Sequence, residues 1–210
     1  MRTVYLHSSL KAAGITNIAY WFNGFSNLQL VSGFENLSGV EDVTQLFTSC
    51  SELRTVSAAS FDNSRIKKYA SVLYGCSKLV GGIDGFVPSP SSGASVLKLG
   101  TGGVLTDPES DIRTWLDATL FANGGLKIGF AKADAAGREV LAAGKLCANA
   151  KYNAIQATPW ASFGKSVKAM AIAADASRLA NVNLNYWFYG CNALASVSGM
   201  ANLRGLLALI

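Results

Sequence analysis

Apolar residues recur along this chain at steps 0, 3, 4, 7 and 10. Ile18, Trp21, Phe22, Phe25 and Leu28 set the pattern, and Val43, Leu46, Phe47, Cys50 and Leu53 repeat it. Tyr69, Val72, Leu73, Cys76 and Leu79 form a third copy, and Leu184, Trp187, Phe188, Cys191 and Leu194 a fourth. Such steps place side chains on one face of a short helix. An extended segment follows, as in Leu28-x-x-Val31, Leu53-x-x-Val56 and Leu194-x-x-Val197. Each unit therefore reads as a short helix feeding a short strand.

A longer repeat encloses this one. Residues 17–39 and 183–205 match at 12 of 23 positions with an offset of 166, including the Tyr-Trp-Phe triplet at Tyr20. Units this small bury too little to offset their own backbone entropy of roughly 1–2 kcal/mol per residue, so they need neighbours. The expected fold class is an α/β solenoid, a leucine-rich-repeat-like stack of short helix plus short strand units, interrupted by a small mixed α/β or β segment. Three regions follow: a leucine-rich-repeat block at 1–88, a linker and small mixed insert at 89–165, and a truncated second block at 166–210. The apolar end at Leu206–Ile210 reads as the edge of a longer protein. Asn36, Asn63 and Asn202 stand where such frames carry an asparagine ladder bonded to the backbone. Trp21, Phe22, Phe47, Cys50, Cys76, Trp187, Phe188 and Cys191 are the expected structural core.

The phrases Leu46-Phe47-Thr48-Ser49-Cys50-Ser51-Glu52-Leu53, Leu73-Tyr74-Gly75-Cys76-Ser77-Lys78-Leu79 and Phe188-Tyr189-Gly190-Cys191-Asn192-Ala193-Leu194 share one signature. It resembles the MF-x-x-C-x-x-L motif of BspA-like leucine-rich-repeat surface proteins. Ser60-Phe61-Asp62-Asn63-Ser64 is similar to the link between that family's repeats. Phe25 and Leu73 depart from the motif. The resemblance implies an extracellular or bacterial cell-surface location and a role in adhesion, with protein or glycan partners on host or neighbouring cells.

Cys50, Cys76 and Cys191 share the helical step held by Phe25, a position for a compact buried hydrophobe. Helix axes about 8–10 Å apart do not suit a disulfide, which needs Cα atoms within roughly 7 Å, so free buried thiols are expected. In the middle region, Asp107-Pro108 with following acids predicts a helix running to Phe121, with Ile112, Trp115, Leu116, Thr119 and Leu120 on its apolar face. Strands are predicted at 126–130, 138–146 and 152–156.

Composition narrows the function. Half of the 210 residues are apolar and 15% are charged, which argues against disorder. No apolar run of about 18 residues and no signal-peptide pattern is read. The net charge of +5 is scattered, with Arg65, Lys67 and Lys68 its densest group, so no nucleic-acid partner is expected. His7 is the only histidine and has no catalytic pattern around it. Asp107-x-Glu109-x-Asp111 lacks the glycine and terminal glutamate of a calcium loop. No metal, cofactor or catalytic residue is assigned. The reading placed first is a non-enzymatic binding or adhesion module whose strand face carries Leu30, Ser32, Thr55, Ser57, Ser196 and Ser198. A structural spacer or stalk comes second, and a glycan-active enzyme segment in 92–165 last.

Overall fold

The computed structural model describes residues 1–81, 93–100, 102–111, 113–150, 152, 158–179, 181–203 and 206–208. The chain divides into two compact units, Met1–Ile112 and Arg113–Ile210.

In the first unit, β1 (Thr3–Tyr5), β2 (Leu30–Ser32), β3 (Thr55–Ser57) and β4 (Leu105–Thr106) form a parallel sheet in that order. Side chains alternate across it. Val31, Val56 and Leu105 point into the core and are fully buried, as suits branched side chains on a pleated surface. The place beside β3 goes to Leu105–Thr106, well beyond the third copy of the apolar pattern.

The helical half of the expected unit does not form. Among the described residues the helical segments are all short 3-10 turns, and the repeated apolar segments are chains of tight turns. Two residues per copy take the left-handed backbone: Tyr20 and Gly24, Gln45 and Ser49, Ser71 and Gly75, Tyr186 and Gly190. Left-handed residues four apart break the i→i−4 ladder of an α-helix. Hydrogen bonds instead alternate in direction. The Trp21 and Asn23 N–H groups bond back to the Ile18 and Tyr20 carbonyls within the turn. The N–H groups of Ile18, Tyr20, Phe22 and Gly24 donate to the carbonyls of Asp42, Thr44, Leu46 and Thr48 in the next copy. Val43, Gln45, Phe47 and Ser49 donate in the same way to Lys68, Ala70, Val72 and Tyr74. A helix and this turn chain share the spacing of inward residues, and backbone pairing separates them. The expected α/β solenoid of leucine-rich-repeat-like helix-plus-strand units is thus corrected. Among the described residues the protein is a mixed fold with helical content limited to short turns, a four-stranded parallel sheet, a five-stranded mixed sheet and a two-stranded parallel pair.

The second unit contains β5 (Trp115–Phe121), β6 (Gly125–Gly129), β7 (Val140–Cys147), β8 (Ala169–Ile172), β9 (Val182–Asn183), β10 (Ser196–Ser198) and β11 (Leu206–Ala208). Its main sheet runs β10-β8-β6-β5-β7, and β9 pairs separately with β11. β5 is antiparallel to β6 and β7, while β6, β8 and β10 are mutually parallel. The predicted helix to Phe121 is therefore a strand over Trp115–Phe121. Leu116, Ala118 and Leu120 share one buried face, with Thr119 and Phe121 buried on the other, and pairing to β6 and β7 decides for a period of two, also present in the sequence, over 3.6. Asn123-Gly124-Gly125, expected to end a helix, turns the β5–β6 hairpin instead, with Gly124 at φ 89°. The strands expected near 126–130 and 138–146 correspond to β6 and β7. The one expected at 152–156 lies almost wholly outside the described residues.

Candidate binding surface

The outward residues of β1–β3 stand in register. Thr3, Leu30 and Thr55 form one row, and Tyr5 and Ser32 lie side by side in the next. Accessibility falls steeply across the sheet: Tyr5 is 78% exposed, Leu30, Ser32 and Thr55 are half-buried, and Ser57 and Thr106 on the last two strands are buried. Ser57, expected on an open face, is thus unavailable to a partner. Thr3 and Tyr5 were missed, although Val4 aligns with Met170 at the offset of 166 and its alternation turns both neighbours outward. Ser196 and Ser198 belong to the second unit, exposed on β10, where they pair with Ala169 and Ala171. Further along, Ala171 pairs with Lys127 on β6, so small residues on β8 and β10 give way to a cation there.

The expected core is mostly in place. Phe22 and Phe47 stack with ring centroids 5.4 Å apart, and Cys50, Cys76, Trp187 and Cys191 are buried. Trp21 departs from expectation at 39% exposed, and Phe188 is half-buried. All four cysteines are free. The Cys50 thiol donates to the Phe22 carbonyl at 2.9 Å, and Cys76 repeats the bond one copy later, to Phe47 at 3.0 Å. This shared position therefore calls for a small donor as well as a hydrophobe. Burial pushes the Cys50 and Cys147 thiols up to about 11, and Cys76 and Cys191 also upward.

The three asparagines each bond a backbone carbonyl. Asn36 Nδ2 donates to Leu6 at 2.8 Å and Asn202 Nδ2 to Ile172 at 2.9 Å, each reaching back 30 residues. Asn63 Nδ2 reaches forward to Ala94 at 3.0 Å. They are separate clamps rather than one ladder, because Asn63 points the other way along the chain.

The densest basic group is matched by acids. Lys67 lies 2.9 Å and Arg65 3.7 Å from Glu41, and Lys68 lies 3.8 Å from Asp42. The Lys67 hydrogen bond holds the Glu41 carboxyl below its usual range. Asp42 is lowered first by the Thr44 N–H bonded to its side chain. His7 is exposed and caps a 3-10 turn, accepting from the Ser9 N–H. Asp107 accepts from the Glu109 N–H and the Ser110 hydroxyl, a turn-stabilising arrangement. Asp107 and Asp111 also line a cleft of about 300 Å³ with Leu99, Gly100, Leu105, Thr106 and Ser110. Among the described residues no cluster of three or more His, Cys, Asp or Glu is placed to hold a metal, and no helix is long and apolar enough to cross a membrane.

No family model matches this chain, and comparison with curated proteins and with solved structures returns no match.

Proposed function

We propose that the chain is a non-enzymatic binding module that makes contact through the outer face of β1–β3. The observation behind this reading is the in-register, uncharged rows Thr3–Leu30–Thr55 and Tyr5–Ser32, open to solvent at the β1 edge. The exposed Tyr5 ring beside the exposed Thr3 hydroxyl combines apolar contact area with adaptable hydrogen bonding, a composition found on protein-recognition surfaces. The motif resemblance to BspA-like surface proteins adds adhesion to host or neighbouring cells as the setting. The test is binding of the purified chain to arrayed extracellular-matrix proteins and glycans, alongside Leu30→Lys and Thr55→Lys. The expected result is saturable binding weakened at least about tenfold by either charge, as burial of an unpaired lysine demands, with the unfolding midpoint unchanged. Binding indifferent to both substitutions, or none at all, overturns the reading in favour of a spacer.

A further inference from the structure

The two copies of the 23-residue block differ in what covers them. In the second copy, Trp160 meets Trp187 edge-to-face, with ring centroids 6.5 Å apart and planes at 85°. The Trp160 indole N–H donates to the Trp187 carbonyl at 3.1 Å. Four residues on, Gly164 lies so close to Gly190 that a Cβ there would stand 2.8 Å from the Gly190 carbonyl oxygen. Trp160 and Trp187 are both fully buried as a result. A tryptophan turn followed by glycine thus seals the second copy.

In the first copy the same face is partly open. Trp21 and Gly24 occupy the positions of Trp187 and Gly190, and Phe25 that of Cys191. Trp21 is 39% and Phe25 44% exposed. Among the described residues nothing donates to the Trp21 carbonyl. The backbone is nevertheless the same, with left-handed residues at Tyr20 and Gly24 as at Tyr186 and Gly190. Two aromatic rings, a free acceptor and a glycine allowing close approach are the complement of the segment that covers the second copy.

We infer that the turn Ile18–Phe25 is a docking site for a partner polypeptide presenting a Trp-x-x-x-Gly turn. The indole N–H bonds the Trp21 carbonyl, its ring packs on Trp21, and the glycine passes over Gly24. This surface is distinct from the outer face of β1–β3, so the two proposals fail independently.

The probe is a synthetic peptide with the sequence of residues 158–166, titrated into the isotope-labelled chain and followed by NMR. Expected are saturable shifts of the Trp21 indole and of the amides of residues 18–25. The peptide carrying Trp160→Phe keeps a ring but loses the donor and should bind about tenfold more weakly or worse. Trp21→Ala should abolish the shifts. Phe25→Lys, which alters only a half-exposed side chain, should weaken them if the alanine variant does not fold, and Leu30→Lys should leave them unchanged. Absence of shifts in the first copy, shifts confined to residues 183–191, equal binding of the phenylalanine peptide, or occupation of the face by a second copy of the chain would each overturn the inference.

Discussion

At residue scale, Gly33 and Asn36 act as one device around the Leu6 carbonyl. Gly33 holds φ 78°, and a Cβ on it would stand 2.3 Å from that oxygen, which Asn36 also bonds. Gly199, Asn202 and the Ile172 carbonyl repeat the arrangement, with a Cβ approach of 2.1 Å. The recurring Gly-x-x-Asn thus reflects close backbone approach plus a satisfied buried acceptor, whereas its spacing alone suggested only a ladder. Gly14 offers a comparison, since its φ is +61° but nothing lies within 4 Å of a Cβ. Gly14→Ala should cost about 1–2 kcal/mol from the left-handed backbone alone. Gly33→Ala should cost clearly more, because the clash is with backbone, and the difference will be read as a larger drop in urea midpoint. The thiols give a pH prediction. A cysteine pushed from about 9 to about 11 by burial stays protonated when folded, while the unfolded chain loses its proton earlier. That stability is whole below pH 9 and is lost as pH rises toward 11. Denaturation series over this window should show falling stability, with a shallower slope in Cys50→Ala or Cys147→Ala.

At the scale of elements, the left-handed positions decide between turn chain and helix. Three copies place glycine at the second of these positions, Gly24, Gly75 and Gly190, while the second copy has Ser49 at φ 62°. Relief of left-handed strain, roughly 1–2 kcal/mol, outweighs the roughly 0.5–1 kcal/mol entropic cost of glycine. Ser49→Gly should therefore raise stability by up to about 1 kcal/mol, measured by thermal unfolding, and a drop in the midpoint would refute the strain argument. Those glycines were visible in the sequence, but Ser49 and the non-glycine residues Tyr20, Gln45, Ser71 and Tyr186 hid the regularity. Inward residues at steps 0, 3, 4 and 7 fit both backbones, and only hydrogen bonds to the next copy separate them. β5 failed for a related reason. The acids after Pro108 read as a helix start, while the alternation of Leu116, Ala118 and Leu120, the true signal, overlapped an apolar face at helical spacing. The strands β2, β3 and β10 were legible because each centres on a valine flanked by outward residues: Val31, Val56 and Val197.

For the molecule as a whole, the repeat at an offset of 166 was the most legible feature, since one copy lies in each compact unit. Much less legible was which copy would be covered, because Trp160 stands 27 residues before Trp187 in a segment with no repeat signature of its own. Likewise, the rows Thr3–Leu30–Thr55 and Tyr5–Ser32 depend on registers between strands that local pattern does not set. The core of the first unit includes residues from Leu6 to Leu105, bringing Phe22, Phe34 and Phe47 together with the valines of β2 and β3. Met1–Ile112 is a compact unit with a hydrophobic core of its own, so residues 1–112 should fold without the rest of the chain. Trp21 is the only tryptophan in that span, the others being Trp115, Trp160 and Trp187. Its fluorescence therefore reports on this unit alone. The isolated fragment should unfold in one cooperative transition, with fluorescence and far-ultraviolet circular dichroism coincident. A gradual, non-coincident loss of the two signals would show that the first unit depends on Arg113–Ile210 for its packing. The same fragment keeps β1–β3 and Ile18–Phe25, so it should retain binding sensitive to Leu30→Lys and the peptide-induced shifts at Trp21.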